Sequence, residues 1–137
     1  MDMASVMAGI NWLAVVVAAV ATFALGGLWY GPLFGKTWMA ASGMTEEKAR
    51  QGNMAKIFGT SFVLELLAAC NLAMFLGAES TLTGGLFAGL AVGLIWVGGA
   101  IGVLYLFEHR SFAHWFVNAG YHTVAFTMMG TILGAWH

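Results

Sequence analysis

Long stretches of apolar residues dominate the chain, and short polar segments separate them. A helix that crosses the hydrocarbon core of a bilayer needs about 20 apolar residues. The apolar positions are continuous, whereas a strand of a membrane barrel would alternate apolar and polar residues over about ten positions. The pattern therefore predicts four membrane-spanning helices, at Ile10–Tyr30, Ile57–Gly77, Leu82–Phe107 and Phe112–Trp136.

The composition supports this class of protein. Of the 137 residues, 61% are hydrophobic and 8% are charged, whereas a typical soluble domain is about 25% charged. A chain of this length is expected to form one domain. We predict an all-α integral membrane protein, a four-helix bundle of antiparallel helices in a single domain over residues 1–137, with the lipid bilayer as its first partner.

The basic residues predict the orientation. All five Lys and Arg residues flank the first and third connections between spans. Under the positive-inside rule these connections face the cytoplasm, and both termini face the opposite side. The first span has no convincing cleavage signal, so we expect it to be retained. The predicted location is a bacterial-type inner (plasma) membrane, with several passes through it.

The cytoplasmic loop over residues 31–56 has its own signals. Gly31 and Pro32 are expected to end or kink the first helix, because proline donates no amide proton and disfavours a helical residue before it. Thr45, followed by two glutamates, is typical of a helix N-cap. We therefore expect the second helix to begin near Thr45 on the cytoplasmic surface, with a possible bend at Gly52, and to run on into the membrane.

Glycines recur at four-residue spacing in three spans. Small residues at this spacing let membrane helices approach closely. We expect each row to pack helices within the chain, and the large number of rows also favours a homo-oligomer. The rows are Gly85/Gly89/Gly93, Gly98/Gly102, Gly27/Gly31/Gly35 and Gly130/Gly134.

Glu65 is a carboxylate inside an apolar span. Counted from the cytoplasmic ends of their helices, Glu65 and His122 both lie roughly 12–15 Å deep, near the bilayer midplane. Ser61 and Asn118 lie one turn before them, on the same helical faces. A charge at this depth costs about 2.5–3.5 kcal/mol on insertion scales, so such residues usually face the bundle interior and mark function.

The sequence allows three interpretations of Glu65. In the first, it pairs with His122 and, together with Asn118, Ser61 and Tyr121, forms a proton-linked polar site. In the second, it makes a structural hydrogen bond that fixes the register of the helices. In the third, it faces a subunit interface.

Other chemistry has little support in the sequence. The spacing of His109, His114 and His122 fits no helical metal-binding pair, and Cys70 is the single cysteine, so no intrachain disulfide can form. The net charge of −1, without a basic face, argues against a nucleic-acid partner. We expect no metal and no cofactor, and an enzyme is the less favoured class.

Three stretches of the chain resemble a known family. They are "NWLAVVVAAVATFALGGLWYGPLFGKTWM", the following "GMTEE" and the closing "YHTVAFTMMGTILGAW". They resemble the bacterial and fungal membrane family catalogued as domain of unknown function 1761. The resemblance implies a small four-helix membrane protein and brings no known substrate, reaction or cofactor. It singles out the signature-loop residues Gly31, Pro32, Gly35, Lys36 and Trp38, which are suited to a gate, a lipid head-group contact or an interfacial anchor.

The sequence therefore supports three hypotheses for function. The first is passage of a proton or small solute past a polar site at the midplane. The second is a non-catalytic membrane scaffold or assembly protein, whose polar residues only lock the helices together. The third is an intramembrane enzyme that acts on a lipid-like substrate.

Overall fold

The computed structural model describes residues 2–136, so the first and last residues of the predicted domain lie outside the described part. Within residues 2–136 the chain forms helices and no strand, which confirms the all-α class. Four of the helices are long and three are short. They are α1 (Met3–Ala8), α2 (Trp12–Leu33), α3 (Gly35–Ser42), α4 (Glu46–Arg50), α5 (Met54–Leu76), α6 (Leu82–Phe107) and α7 (Phe112–Ala135).

Three of the long helices have the length and apolar character needed to cross a membrane. These are α2, α5 and α6, with mean hydropathies of 2.0, 1.7 and 2.2. Among the described residues α7 does not join this group, because polar side chains interrupt its apolar surface. That α7 spans the membrane, and that the four helices form a transmembrane bundle, therefore stay predictions.

The most polar of the long helices is also the most buried. α7 has more buried residues than any other helix, and it packs against α2, α3, α5 and α6. Its threonines Thr123, Thr127 and Thr131 each donate a hydrogen bond to the carbonyl four residues earlier, at 2.7, 2.6 and 2.7 Å. These bonds satisfy the hydroxyl donors inside the helix itself.

α6 and α7 pack backbone against backbone along a glycine seam, which consists of Gly85, Gly89, Gly130 and Gly134. A Cβ added at Gly85 would overlap the carbonyl oxygen of Gly130, and one added at Gly89 would overlap the carbonyl oxygen of Phe126. Only glycine permits so close an approach. The predicted rows of α6 and α7 are thus used for packing within the chain.

The first long helix, α2, ends in a widened helical turn. Pro32 lies in a π-helical turn over Trp29–Leu33, and the chain leaves the helical conformation at Phe34. α3 follows at once and folds back so tightly that a Cβ at Gly35 would lie 2.6 Å from the carbonyl oxygen of Tyr30. The sequence predicted that Gly31-Pro32 ends or kinks this helix, and in the structure the helix ends at Leu33, one residue beyond Pro32.

The second long helix starts later than a continuous helix from Thr45 would. The predicted N-cap is confirmed, since the Thr45 side chain accepts a hydrogen bond from the amide of Lys48. The short helix α4 then stops, and Asn53 caps α5 separately by accepting from the amide of Lys56. The bend expected at Gly52 is therefore a complete break, because Asn53 supplies a helix start of its own.

The core lies toward the end of the molecule that contains residues 10 and 133. Small and medium side chains from α2, α5 and α7 pack there, among them Val15, Ala18, Ala69, Leu72 and Met129. At the opposite end, residues 51–61, which include the start of α5, are all exposed. α5 is therefore held at one end and loosely packed at the other, and this difference opens a cavity between the helices.

Candidate functional site

Three helices meet at the carboxylate of Glu65, which is half-buried on α5. The hydroxyl of Tyr121, on α7, donates to Glu65 Oε1 at 2.6 Å. The hydroxyl of Thr22, on α2, lies within donating distance of Oε2 at 3.4 Å. Tyr121 and Thr22 are themselves buried. The carboxylate therefore ties α2, α5 and α7 together.

Each of these hydroxyls also reaches a backbone carbonyl. Tyr121 Oη lies 3.0 Å from the carbonyl oxygen of Thr22, and Thr22 Oγ1 lies 3.0 Å from that of Ala19. A hydroxyl carries one proton and can donate to one acceptor at a time. When Glu65 is ionised, both hydroxyls can turn to the carboxylate. When Glu65 is protonated, its own O–H can donate to Tyr121, and both hydroxyls can turn to their carbonyls.

The geometry thus accommodates both protonation states of Glu65 without moving a heavy atom. Neither state leaves a buried hydroxyl without an acceptor, and an unsatisfied buried donor would cost about 1–3 kcal/mol. The site can serve both protonation states because each hydroxyl has a backbone carbonyl as a second acceptor. A carboxylate held by donors that have no second acceptor would not have it.

Glu65 also lies where two open cavities meet. The larger, here called the entrance cavity, has a volume of about 610 Å³ and extends toward the 31–56 loop. The smaller, here called the inner cavity, has a volume of about 220 Å³ and extends toward Ala68 and Met129. Leu64, Glu65, Tyr121 and His122 line both. The entrance cavity is lined by Phe23, Gly26, Gly27, Tyr30, Gly31, Phe58, Ser61, Leu64, Glu65, Tyr121 and His122.

Two glycines of α2 widen the entrance cavity. A Cβ added at Gly27 or at Gly31 would meet no atom within 4 Å, and both residues line the cavity. The row Gly27/Gly31/Gly35 was predicted to pack a helix. In the structure its first two members face open space instead, because α5 is loosely packed at this end.

His122 lies beside Glu65 without bonding to it. It lines both cavities, and within residues 2–136 the hydrogen bonds to Glu65 come from Tyr121 and Thr22. The direct Glu65–His122 pair predicted from depth is therefore replaced by a pair with the preceding residue. Counting depth gives the level of a residue, but neighbours in a helix point about 100° apart.

Asn118 and Ser61 take different places in the structure. Asn118 accepts a hydrogen bond from the Tyr30 hydroxyl at 2.7 Å and donates to the Tyr105 hydroxyl at 2.6 Å. It therefore links α2, α6 and α7 and reaches the entrance cavity through Tyr30. Ser61 lines the cavity and donates to the carbonyl of Ile57 at 2.7 Å. Of the five predicted site residues, Glu65, Tyr121, His122 and Ser61 share the cavity wall.

The model of the family described as "Protein of unknown function (DUF1761)" matches residues 13–134. The chain belongs to the DUF1761 family. This result confirms the resemblance seen in the sequence. No curated protein and no solved structure matches the chain.

The signature loop of this DUF1761 protein supports one wall of the entrance cavity. The Trp38 ring packs edge-on against Tyr30, with the ring centres 5.7 Å apart. Lys36 is exposed, away from the cavity lining. The predicted loop residues are Gly31 in the cavity wall, Pro32 in the π-helical turn, Gly35 beneath the Tyr30 carbonyl, Lys36 and Trp38.

Sequence reasoning missed two residues of the site. Thr22 is the one polar side chain in the apolar part of α2, and this was a usable signal that a hydroxyl is needed there. Tyr30 was treated as the last residue of the first span, although in the structure it lines the cavity and its ring centre lies 5.4 Å from that of Tyr121. Its position on the π-helical turn carries no sequence signal of its own.

No metal site is present in the described part of the chain, where no three His, Cys, Asp or Glu residues come together. Every Lys and Arg likewise lies outside the linings of both cavities. The chemistry available around Glu65 is therefore proton exchange, hydrogen bonding by hydroxyls, and contact with aromatic rings.

Proposed function

We propose that this DUF1761 protein is a multi-pass membrane protein in which Glu65 binds and releases a proton during the passage of a proton or small solute. The observation that supports this most strongly is the position of Glu65. Its carboxylate lies at the junction of two cavities, with two hydroxyls that can serve either protonation state.

The bilayer is part of this proposal. Three helices are apolar enough to span it, and large apolar side chains cover their outer surfaces. In our proposal α7 is the fourth span, both termini lie on the non-cytoplasmic side, and the basic 31–56 loop faces the cytoplasm of a bacterial-type inner membrane. An ionisable group at this depth usually lines a pathway or a wet cavity.

The two cavities define a route in this proposal. The entrance cavity lies on the side of Glu65 that faces the 31–56 loop, and the inner cavity lies on the other side. A proton or solute that enters from the loop side meets Glu65 before it can go further. Glu65 and Tyr121 would then be the point at which passage is controlled.

A second candidate is the non-catalytic scaffold. It is supported by the fact that Glu65 joins three helices, as a structural lock would. Self-association would then use the small residues that the chain leaves free, such as Gly59 and Gly99, where an added Cβ meets nothing within 4 Å. The two candidates differ in whether the carboxyl exchanges its proton with bulk water.

The deciding experiment follows the protonation of Glu65 directly. Infrared difference spectra of the protein in lipid nanodiscs, recorded as pH is changed, should contain a carboxyl C=O band that disappears in Glu65→Gln. The matched control is Glu79→Gln, which removes an exposed carboxylate between α5 and α6. If Glu65→Gln and Glu79→Gln alter the buried-carboxyl region equally, or not at all, the proton-exchange proposal is wrong and the scaffold is favoured.

A flux measurement extends this test to passage. In proteoliposomes that contain a pH-sensitive dye, a pH gradient should collapse faster with the wild-type protein than with Glu65→Gln, while Glu79→Gln should behave as wild type. Equal rates in all three would leave Glu65 as a proton-binding group and would remove proton passage from the proposal.

A further inference from the structure

The lining of the entrance cavity combines one carboxylate with several aromatic rings. Phe23, Tyr30, Phe58 and Tyr121 form much of the wall around Glu65. Aromatic faces attract cations, by about 0.5–2 kcal/mol per contact. Rings around a single acid therefore favour a ligand that is both positively charged and apolar.

The chain places no permanently charged cation beside this carboxylate. Besides Glu65, the polar side chains that line the two cavities are Thr22 and Tyr30 from α2, Ser61 from α5, and Tyr121 and His122 from α7, while α6 contributes only the apolar Val97 to the inner cavity. Neither cavity lining contains Lys or Arg. The hydrogen bonds to the ionised Glu65 come from two hydroxyls, so while His122 is neutral a proton or a bound cation is needed to neutralise the carboxylate.

The size of the entrance cavity favours a small organic molecule as its occupant. A volume of about 610 Å³ lies within the range of roughly 300–1,000 Å³ for small-molecule sites. Leu64 and Phe58 are apolar walls, and Gly27 and Gly31 leave space that side chains would fill. The cavity is thus large, mostly apolar and negatively charged at one point.

We propose that the solute is an amphiphilic organic monocation, bound in the entrance cavity by the Glu65 carboxylate and the surrounding aromatic rings. This inference rests on the proposed function, since it needs a Glu65 that exchanges its proton. The cation binds the carboxylate while the carboxyl proton leaves to water, so one positive charge, the cation, takes the place of another, the proton. Tyr121, released from the carboxyl O–H, donates again to the carboxylate.

The test uses two ions of the same shape and opposite charge, tetraphenylphosphonium and tetraphenylborate. Titration calorimetry on the protein in nanodiscs, with empty nanodiscs subtracted, should show saturable binding of the phosphonium and none of the borate. Glu65→Gln should weaken binding by about ten- to hundredfold, as expected when the opposite charge facing a bound cation is removed. Repeating the titration in buffers of different protonation enthalpy should show proton release at pH values where Glu65 is protonated.

Lowering the pH further should weaken the binding. Protons then compete with the cation for Glu65, and a charged His122 would repel the cation from the same wall. The phenols of Tyr30 and Tyr121 keep their protons throughout. Binding that does not change with pH in the wild-type protein would contradict exchange at Glu65.

Two further variants test the cavity without changing Glu65. Gly27→Leu fills open space in the entrance cavity and should abolish binding. The control Gly99→Leu adds the same side chain at a site on α6 outside the cavity, where nothing lies within 4 Å, and should leave binding unchanged. Phe58→Leu should weaken binding by about two- to thirtyfold through the loss of one aromatic contact. Its control is Phe75→Leu, on the exposed surface of the same helix.

The outcomes separate this inference from the proposed function. If Glu65 titrates in the infrared spectra but the phosphonium binds no better than the borate, the cation inference is overturned and proton exchange stands. If the phosphonium binds equally well to Glu65→Gln or Gly27→Leu, its site is elsewhere and the inference is also overturned. If Glu65 does not titrate and the phosphonium binds without proton release, the exchange mechanism and the proposed function both fail.

Discussion

The two faces of α7 are built in opposite ways. Against α6, the glycine seam brings backbone to within van der Waals contact of backbone and leaves no room for a methyl group. Against α2 and α5, the same helix packs closely around Met129 and Leu133, but at the level of Tyr121 and His122 it faces about 610 Å³ of open cavity around a carboxylate. A helix that is fixed along one face can therefore present polar groups to a cavity on its other face.

This difference teaches how a small chain can keep a cavity open. Cavities in well-packed proteins tend to collapse or to destabilise the fold. In this protein, Tyr121 and His122 are carried by a helix that α6 already positions, and a Cβ at Gly93 of α6 would lie 2.6 Å from the carbonyl oxygen of His122. The seam therefore extends to the level of the site.

The largest effect is expected from breaking the seam. Gly89→Ala places a methyl group on the Phe126 carbonyl, so the two helices must separate. We expect the free energy of unfolding to fall by about 1–3 kcal/mol. Gly99→Ala on the same helix adds the same group in open space and serves as the control. Unfolding by SDS titration, followed by circular dichroism, measures both. Equal stability of the two variants would contradict the seam.

A smaller effect is expected from Tyr121→Phe, on the cavity face. The ring stays, while one hydrogen bond is lost, so unfolding should become easier by about 0.5–1.5 kcal/mol. Tyr105→Phe removes one hydrogen bond from Asn118 and should cost a similar amount. Only Tyr121→Phe should change the frequency of the Glu65 carboxyl band. An identical infrared spectrum for both variants would show that Tyr121 does not bond to Glu65.

The smallest effect is expected from Gly59→Ala, at the loosely packed end of α5. The added methyl group meets no neighbour, so stability should not fall, and the ordinary preference of helices for alanine over glycine should raise it by at most about 0.5–1 kcal/mol. The same SDS titration measures it. A loss as large as that of Gly89→Ala would mean that this end of α5 is packed against something, such as a second copy of the chain.

Much of the fold follows from the apolar pattern. The bounds of α6 match the predicted span, and α2, α5 and α7 lie within a few residues of theirs. The break between α4 and α5 was missed because Asn53 is an N-cap signal inside a segment that was treated as one helix. The central place of α7 was missed as well, since hydropathy ranks a helix by its composition and not by its neighbours.

The candidate site was predicted in level but not in detail. Counting residues placed Glu65 beside the turn of α7 that carries Tyr121 and His122, and both line its cavities. Which of the two bonds to Glu65 depends on the rotation of α7, and the glycine seam fixes that rotation through contacts that no residue count contains. Thr22 could have been found from the sequence, because it is a polar residue in an apolar helix. The second acceptors of the Thr22 and Tyr121 hydroxyls could not, because they are backbone carbonyls, which every residue has.

Thr123, Thr127 and Thr131 lower the hydropathy of α7, although each hydroxyl is hydrogen-bonded within the helix itself. α7 falls short of the hydropathy shown by the other long helices, so a translocon that sorts segments one at a time would retain it poorly. α6 precedes it by four residues and offers a matching glycine surface. We expect α6 and α7 to insert into the bilayer together as a helical hairpin, in which the hydrophobic α6 favours the insertion of the more polar α7.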